Sequence, residues 1–551
     1  MSRHEVSPPR TSTFLWTAGV LLTALASCHT PAEHSAAADD EVYAIVAERR
    51  AELAATGDFR IAAPEGSLRS RILEGERPAE LSALTLVDCQ RIAAENSRSF
   101  QSRRESLYLA ALDLTLQRYA FGLSIGAGAG AGISGNENEA TSYDADGVLS
   151  LQKVLGGGAS VVLDIGASFF ESLASGSPSE LFADLGLTVT RPLLGAASEE
   201  AIFESLTNAE RRVVDEARRY ERFRRTFAVD VYSRYWRILQ ETQVTQNEVT
   251  NFANLQLLAD RNRALGEAGR LADIQVGESN QDELRASSRV IDAKGRLEGL
   301  YDDFKFFLGL PVDVEIVLDP TDFALATETG LEGLERMDLG LQPAIDLALV
   351  QRLDLATARD ELLDAERSLR IAEERLGSRL DLTVNAGAST QIQPGVDFNN
   401  GSMPWSLGLD YDSPLDRFSE RNSYRSAQIA LEARRRSLDE AEDLLRIDVR
   451  ENLRRLREAE QNYAIQLNSV ASAERRVESA ELSLEAGRAE TRFLLDARSD
   501  LLDSLNSSVG ALVNYNLARL DLYLDMELLE VDESGLRFGE LPTNDKTTEN
   551  L

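Results

Sequence analysis

From residue 121 the chain alternates strictly: Phe121, Leu123, Ile125, Ala127, Ala129, Ala131 and Ile133 are apolar, and every even position between them is Gly or Ser. A period of two with one greasy and one small or polar face predicts a β-strand. Similar alternation returns at Val161, Leu163, Ile165, Ala167 and Phe169, and again at Leu181, Ala183, Leu185, Leu187 and Val189. A further run, Val148 to Leu155, meets the one starting at Val161 through Gly156-Gly157-Gly158, a hairpin signal. Much later, Leu380 to Ile392 and Trp405 to Tyr411 alternate in the same way around a turn at Asn399-Asn400-Gly401. Pro192 and Pro414 close the two strand regions.

Elsewhere the period is helical. Helices are expected from about Thr85 to Tyr119, from Pro343 to Leu376, and through two very long proline-free segments. The first of these, Ala196 to Leu310, breaks only at Glu267-Ala268-Gly269-Arg270, which predicts two helices around a tight turn with Gly269 in the left-handed position. Its first helix would be about 100 Å long at 1.5 Å per residue. No compact globular domain holds such a helix. The second segment breaks at Glu485-Ala486-Gly487-Arg488, and its last helix is expected to end near Leu529. Between Leu438 and Leu484 the apolar positions are spaced by three and four only, a coiled-coil-like seam with Ala among larger residues.

The order helix, strands, long helix, turn, helix therefore occurs twice. The two turn glycines lie 218 residues apart (487 − 269) and the two closing prolines 222 (414 − 192), as an internal duplication requires. The first copy carries the extra Gly156–Gly158 hairpin, expected to extend an outer loop, which leaves two core strands per repeat and four per chain. The expected organisation is an export signal at 1–27, a linker with a small helix at 28–80, a first repeat at 81–310, a mixed short-strand connector at 311–340, a second repeat at 341–530 and a tail at 531–551.

The N-terminus narrows the setting. Arg3 and Arg10 precede an apolar stretch ending in Leu25-Ala26-Ser27-Cys28, which resembles a bacterial lipobox. Cys28 would then carry lipid; an ordinary cleaved signal with an incidental cysteine is the alternative. After it no apolar run approaches the roughly 18 residues a membrane-spanning helix needs, so any crossing must use strands. The net charge of −34 argues against binding nucleic acid through a basic face. Three histidines, all within the first 34 residues, and one further cysteine, Cys89, exclude a histidine-based metal site, a catalytic triad and a disulfide framework. Gly126 to Gly132 lies in a strand pattern without the Gly-Lys-Ser/Thr ending of a phosphate loop. No enzyme, metal or cofactor is indicated.

The strand alternation is that of a membrane β-barrel, with Phe121, Phe169, Trp405 and Tyr411 near segment ends. Four strands are too few to close a barrel, which takes about eight, whereas three chains would supply about twelve. On these features the chain resembles the TolC-like outer-membrane efflux protein family. The matching residues are the lipobox ending at Cys28, Thr190-Arg191-Pro192-Leu193-Leu194 at the strand-to-helix transition, Glu-Ala-Gly-Arg at both turns, and Leu494-Leu495-Asp496-Ala497 after the second.

The resemblance implies an α+β membrane protein: a homotrimeric, twelve-stranded barrel in outer-membrane lipid, continued by a helical periplasmic tunnel. It implies docking of a periplasmic adaptor and an inner-membrane pump at the turns Gly269-Arg270 and Gly487-Arg488. It implies a periplasmic constriction at which Asp496 would form an acidic ring, with carboxyl pKa values raised by mutual repulsion. Phe493, where an acidic residue is common in the family, would form an apolar gate; a solvated surface carboxylate is the alternative reading of Asp496. The competing function is a non-conducting periplasmic coiled-coil spacer or stalk, against which the lipid-type strand pairs speak. Small-molecule efflux and protein secretion are not separated by the sequence.

Overall fold

The computed structural model describes residues 30–53, 59–61, 66–76, 79–136, 139–172, 180–195, 197–330, 339–391, 403–413, 415–532 and 535–539. The export signal, Cys28, the turn at 399–401 and Pro414 lie outside them. In chain order the helices are α1 Pro31–Glu52, α2 Leu68–Leu73, α3 Leu86–Asn96, α4 Arg98–Phe121, α5 Glu199–Ile202, α6 Glu204–Glu267, α7 Asp273–Leu308, α8 Thr321–Thr329, α9 Leu341–Gln351, α10 Leu353–Glu374, α11 Phe418–Glu485 and α12 Thr491–Asp525. The strands are β1 Leu123–Asn136, β2 Glu139–Val154, β3 Ser160–Ser172, β4 Glu180–Leu194, β5 Arg379–Gln391, β6 Trp405–Asp412, β7 Leu529–Asp532 and β8 Gly535–Phe538.

The expected linker helix is longer than its pattern suggested and is packed rather than loose. Thr30 and Glu33 form a capping box at its start, with Pro31 in the first turn, where a missing N–H costs nothing. Val42, Ile45 and Val46 are buried with Leu107, Ala111 and Leu114 of α4 and with Ala209, Val213, Ala217 and Tyr220 of α6 in one core. A second core joins α9, α11 and α12 around Ile345, Val449, Leu453, Tyr515 and Leu522.

Several expected continuous helices are broken. Ser97 and Arg352 adopt extended backbone, separating α3 from α4 and α9 from α10, and Phe203 separates α5 from α6. Among its described residues the connector is not mainly strand either. Leu84 and Leu318 form an isolated parallel bridge, and then Asp319 accepts from the Thr321 backbone and hydroxyl and starts α8. The last described strands, β7 and β8, pair antiparallel, and the Val531 carbonyl of β7 accepts from Arg224 of α6.

β1 to β6 form one antiparallel sheet in sequence order. This corrects the expected four core strands. The residues between β1 and β4 are not a loop elaboration: β2 pairs with β1 from Ser142 to Lys153 and with β3 from Ser142 to Val154, so both added strands are full members. Nor does their hairpin turn face outward. β1 starts directly after α4, and Leu123 pairs with Lys153, so the turn at 155–159 lies at the helical end. There Gly158, at φ +77°, sits so close to Ile202 of α5 that an added Cβ would fall 2.1 Å from its Cδ1.

Pro192 stands within β4, opposite Asp381, beside a register shift that resumes with Leu194 and Leu380. A residue without an N–H is tolerated in an inner strand at such an irregularity. Gly195 follows at φ +71°, with no room for a Cβ against the Ser378 carbonyl, and turns the chain toward α5.

Candidate functional site

The register divides the six-stranded sheet into two chemical faces. Ile125, Leu151, Leu163, Leu187 and Val384 share one face with Leu407. Trp405, 78% exposed, and Tyr411, 65% exposed, bracket β6 at its two ends on this face. The opposite face is mainly glycine, small hydroxyls, amides and carboxylates, with Val148, Val162, Phe170 and Phe182 among them by register. Thr188 Oγ1 donates to Asn385 Oδ1 at 3.0 Å, and Asn385 Nδ2 donates to Ser406 Oγ at 3.2 Å, a polar line across three strands. Asp144, Asp146, Asp164, Asp184, Asp381, Asp410 and Asp412 all fall on this face by register. Arg379 is a basic residue on the same face, and its Nε is 2.7 Å from Asp381 Oδ2. The glycines of β1 give the carboxylates room: a Cβ on Gly130 would lie 2.7 Å from Asp146 Oδ1, and one on Gly132 2.7 Å from Asp144 Oδ2.

Phe121 does not join the greasy face. It ends α4, and its ring lies 5.0 Å from that of Phe203 at the junction of helix and sheet.

Far from the sheet are two turns of nearly identical geometry. Gly269 has φ +68° and Gly487 φ +67°, both with open space where a Cβ would stand. In each, the next residue's N–H reaches back to the last helical turn, Arg270 to Leu265 O and Arg488 to Ser483 O, both at 2.8 Å. This is the Schellman closure that a left-handed glycine permits. Arg270 and Arg488 are exposed. Leu482, 61% exposed, stands beside the second turn with Arg475, Ala486 and Arg488 around one open depression.

The Leu-Leu-Asp-Ala string divides by function along α12. Leu494, Leu495 and Ala497 are buried with Leu255, Leu258, Ala286 and Ala480, fixing α12 against α6, α7 and α11. Asp496 points away from that cluster, with its side chain 60% exposed. It is not isolated from positive charge: Arg492 Nε is 4.0 Å away, and Arg492 also reaches Glu278 at 3.8 Å. Arg285, Arg289 and Arg498 line the same depression. Phe493 is 45% exposed, and the Arg476 guanidinium lies 5.9 Å from its ring centre.

Sequence reasoning did not single out the polar ties between the helices. Glu248 accepts from Arg289 at 3.1 Å, and Asn262 donates to Ser279 at 2.6 Å, both across the α6–α7 pair. Near mid-molecule, Glu221 accepts from Arg50 and Arg224, each at 2.7 Å. The carboxylate of Glu527, whose own φ is +58°, accepts from Arg222 at 2.7 Å and Arg225 at 2.5 Å. The signal was present: Arg218 to Arg225 holds five arginines in a strongly acidic chain. Beside them burial raises the carboxyl of Asp215 to about 6, opposed by Arg218 and Arg219. Among the described residues, no group of three or more His, Cys, Asp or Glu side chains could hold a metal ion, and no helix is long and apolar enough to cross a membrane.

Comparison with known proteins places this geometry. Residues 344–524 match the sequence model of the family described as "Outer membrane efflux protein". No curated protein matches the chain. Among solved structures, the outer membrane channel CmeC of Campylobacter jejuni aligns with a TM-score of 0.58 at 13% identity, over 80% of this chain and 85% of that one. The open state of the MtrE outer membrane channel of Neisseria gonorrhoeae aligns at 0.57 and 12% identity, over 80% and 88%. The outer membrane protein VceC of Vibrio cholerae aligns at 0.56 and 13%, over 80% and 95%. Likeness at such identities shows the fold.

Proposed function

We propose that this chain is a TolC-like outer membrane efflux protein, the outer-membrane channel of a tripartite efflux or secretion system, a reading supported by the family match over residues 344–524 and the fold shared with outer membrane channels. Three copies close their sheets into a barrel with the greasy face toward lipid, and their helices form a periplasmic tunnel about 100 Å long. The observation that carries the reading is the two-faced sheet, continuous with helices of 64 and 68 residues. A soluble spacer has no use for a sheet whose apolar face is left open, and open sheet edges do not persist in lipid.

Unpartnered apolar stripes on the long helices support the assembly of several copies. On α11, Ile429, Ile447 and Ile465 recur every 18 residues, five turns apart and thus on one side, and all are exposed. On α7, Ile274, Leu284 and Ile291 are 71%, 71% and 68% exposed. Stripes of this kind on neighbouring copies bury one another. The matching turns, with helices of similar length before and after them, support an internal duplication.

In this reading the turns Gly269-Arg270 and Gly487-Arg488 present arginine, and at the second turn exposed Leu482, to a periplasmic adaptor bound to an inner-membrane pump. Asp496 and Phe493 stand at the tunnel's periplasmic constriction. The arginine at position 492 tempers the expected ring of like charge, so the constriction is a ring of ion pairs whose acidic member faces the axis. Cys28 carries the lipid anchor, and Pro192 and Pro414 mark the passage from barrel to tunnel.

Single-channel recording of the purified protein in planar bilayers tests the reading. Small, cation-selective steps are expected, and Asp496→Ala should change their size or their block by divalent cations. A protein that stays monomeric in detergent and never conducts would rule the channel out.

A further inference from the structure

The first and last strands of the sheet, β1 and β6, each have a neighbour on one side only. β1 leads away from the helical end and β6 returns to it, so β6 of one copy beside β1 of the next continues the antiparallel alternation. The faces also match: β1 and β6 each carry one apolar face and one face of Gly, Ser or Asp. Both strands are edge templates of the kind that pair with another chain.

Building on the trimeric channel proposed above, we infer that the occupant of each edge is the opposite edge of a second copy, and that the closed barrel has eighteen strands, three times six. That departs from the twelve expected from four strands per chain. The added six are β2 and β3 of each copy.

Girth supports the larger number. Strands about 4.8 Å apart and tilted by about 40° give a circumference of roughly 110 Å for eighteen and roughly 75 Å for twelve. Four helices per chain meet the sheet, namely α4, α6, α10 and α11. Twelve helices packed 8–10 Å apart span roughly 100–120 Å. Eighteen strands therefore continue the helical tube without a neck, and twelve would narrow it by about a third.

The hairpin turn at 155–159 bears on the same point. It rests on Ile202 at the helical end, where two strands of the wall have no helix of their own to continue into. The two inserted strands also bring Asp144, Asp146 and Asp164 to the polar face, so the wider wall is a more acidic one.

Two measurements on the full chain decide it. With Cys89→Ser as background, paired cysteines at Ile125 or Ala127 and at Leu407 or Leu409 are expected to link neighbouring copies into covalent dimers and trimers with a short thiol-reactive linker. Pairs joining Ile165 to Leu409 should give no interchain product. The second measurement is exclusion of graded polyethylene glycols added from the outer side. The intact protein should admit larger polymers than a version lacking 139–172, in which β1 can pair directly with β4 because the odd positions of both strands carry the apolar face. A conducting trimer whose β1 and β6 cysteines never link, or a folded deletion with an unchanged cut-off, overturns the eighteen-stranded barrel and leaves the channel reading intact. A protein that neither trimerises nor conducts overturns both.

Discussion

Around the sheet the two halves of the chain are nearly matched, and within it they are not. Helices of 64 and 36 residues flank the first turn and helices of 68 and 35 the second, and the two turn glycines differ by one degree in φ. Yet the first half contributes β1–β4 to the sheet and the second only β5 and β6. A tunnel built of helices leaves little freedom in length or turn, because every helix must reach the same end. A sheet accepts an additional strand pair at no cost in topology, provided the pair preserves the inward and outward alternation. Here it does: the offset that the insertion introduces keeps odd positions of β1 and β4 on one face. The difference teaches that strands can be added to the sheet in pairs while the helices on either side keep their lengths and turns.

The largest expected effect comes from removing that difference. Excising 139–172 should leave a four-stranded sheet per chain and reduce the exit cross-section by about 2.2-fold, if area follows the square of strand number. Polymer exclusion from the outer side reads it. Next in size is Glu527→Ala. Its buried carboxylate, only 2% exposed, joins the end of α12 to Arg222 and Arg225 of α6, and the loss would leave Arg225 without this partner and Arg222 with only Asp354, 3.6 Å away, in partly buried positions. About 3 kcal/mol of destabilisation is expected, seen as a lower thermal midpoint by circular dichroism.

The match between the halves can be tested as sharply as the mismatch. Gly269→Ala and Gly487→Ala each place a Cβ at positive φ with no steric neighbour, so each should cost about 1 kcal/mol, and nearly the same. Unequal costs would mean that the two tips are held differently.

The smallest effect lies on the seam between the halves, where Asp215 of α6 shares Arg218 with Asp360 of α10. Its raised pKa means that the folded state holds the proton more tightly than the unfolded chain. This contribution therefore favours folding at low pH and fades as pH rises through about 6. Asp215→Asn should raise the thermal midpoint at pH 7.5, by the equivalent of about 1 kcal/mol, and change it less at pH 5.

Much of this arrangement was legible in the residues. Strict alternation at 121–133 and 380–392 gave strands, and the repeated Glu-Ala-Gly-Arg gave both turns with the handedness of their glycines. What could not be read was partnership. A period of two is the same in a projecting hairpin and in a barrel wall, so the place of β2 and β3 depended on hydrogen-bond partners far along the chain. Breaks at Ser97, Phe203 and Arg352 carry no Gly or Pro and arise where packing redirects the helix. Near Asp496 the tempering partner was visible as an arginine four residues earlier, one helical turn away.

Electron cryomicroscopy of the purified full-length protein, at a resolution that separates strands, tests the central claim most directly. The predicted result is a threefold particle with a closed barrel of eighteen strands, the β1 edge of each copy paired with β6 of the next, above a tube of twelve helices. A threefold particle with twelve strands and β2–β3 outside the wall, or a particle whose sheet remains open, would contradict it.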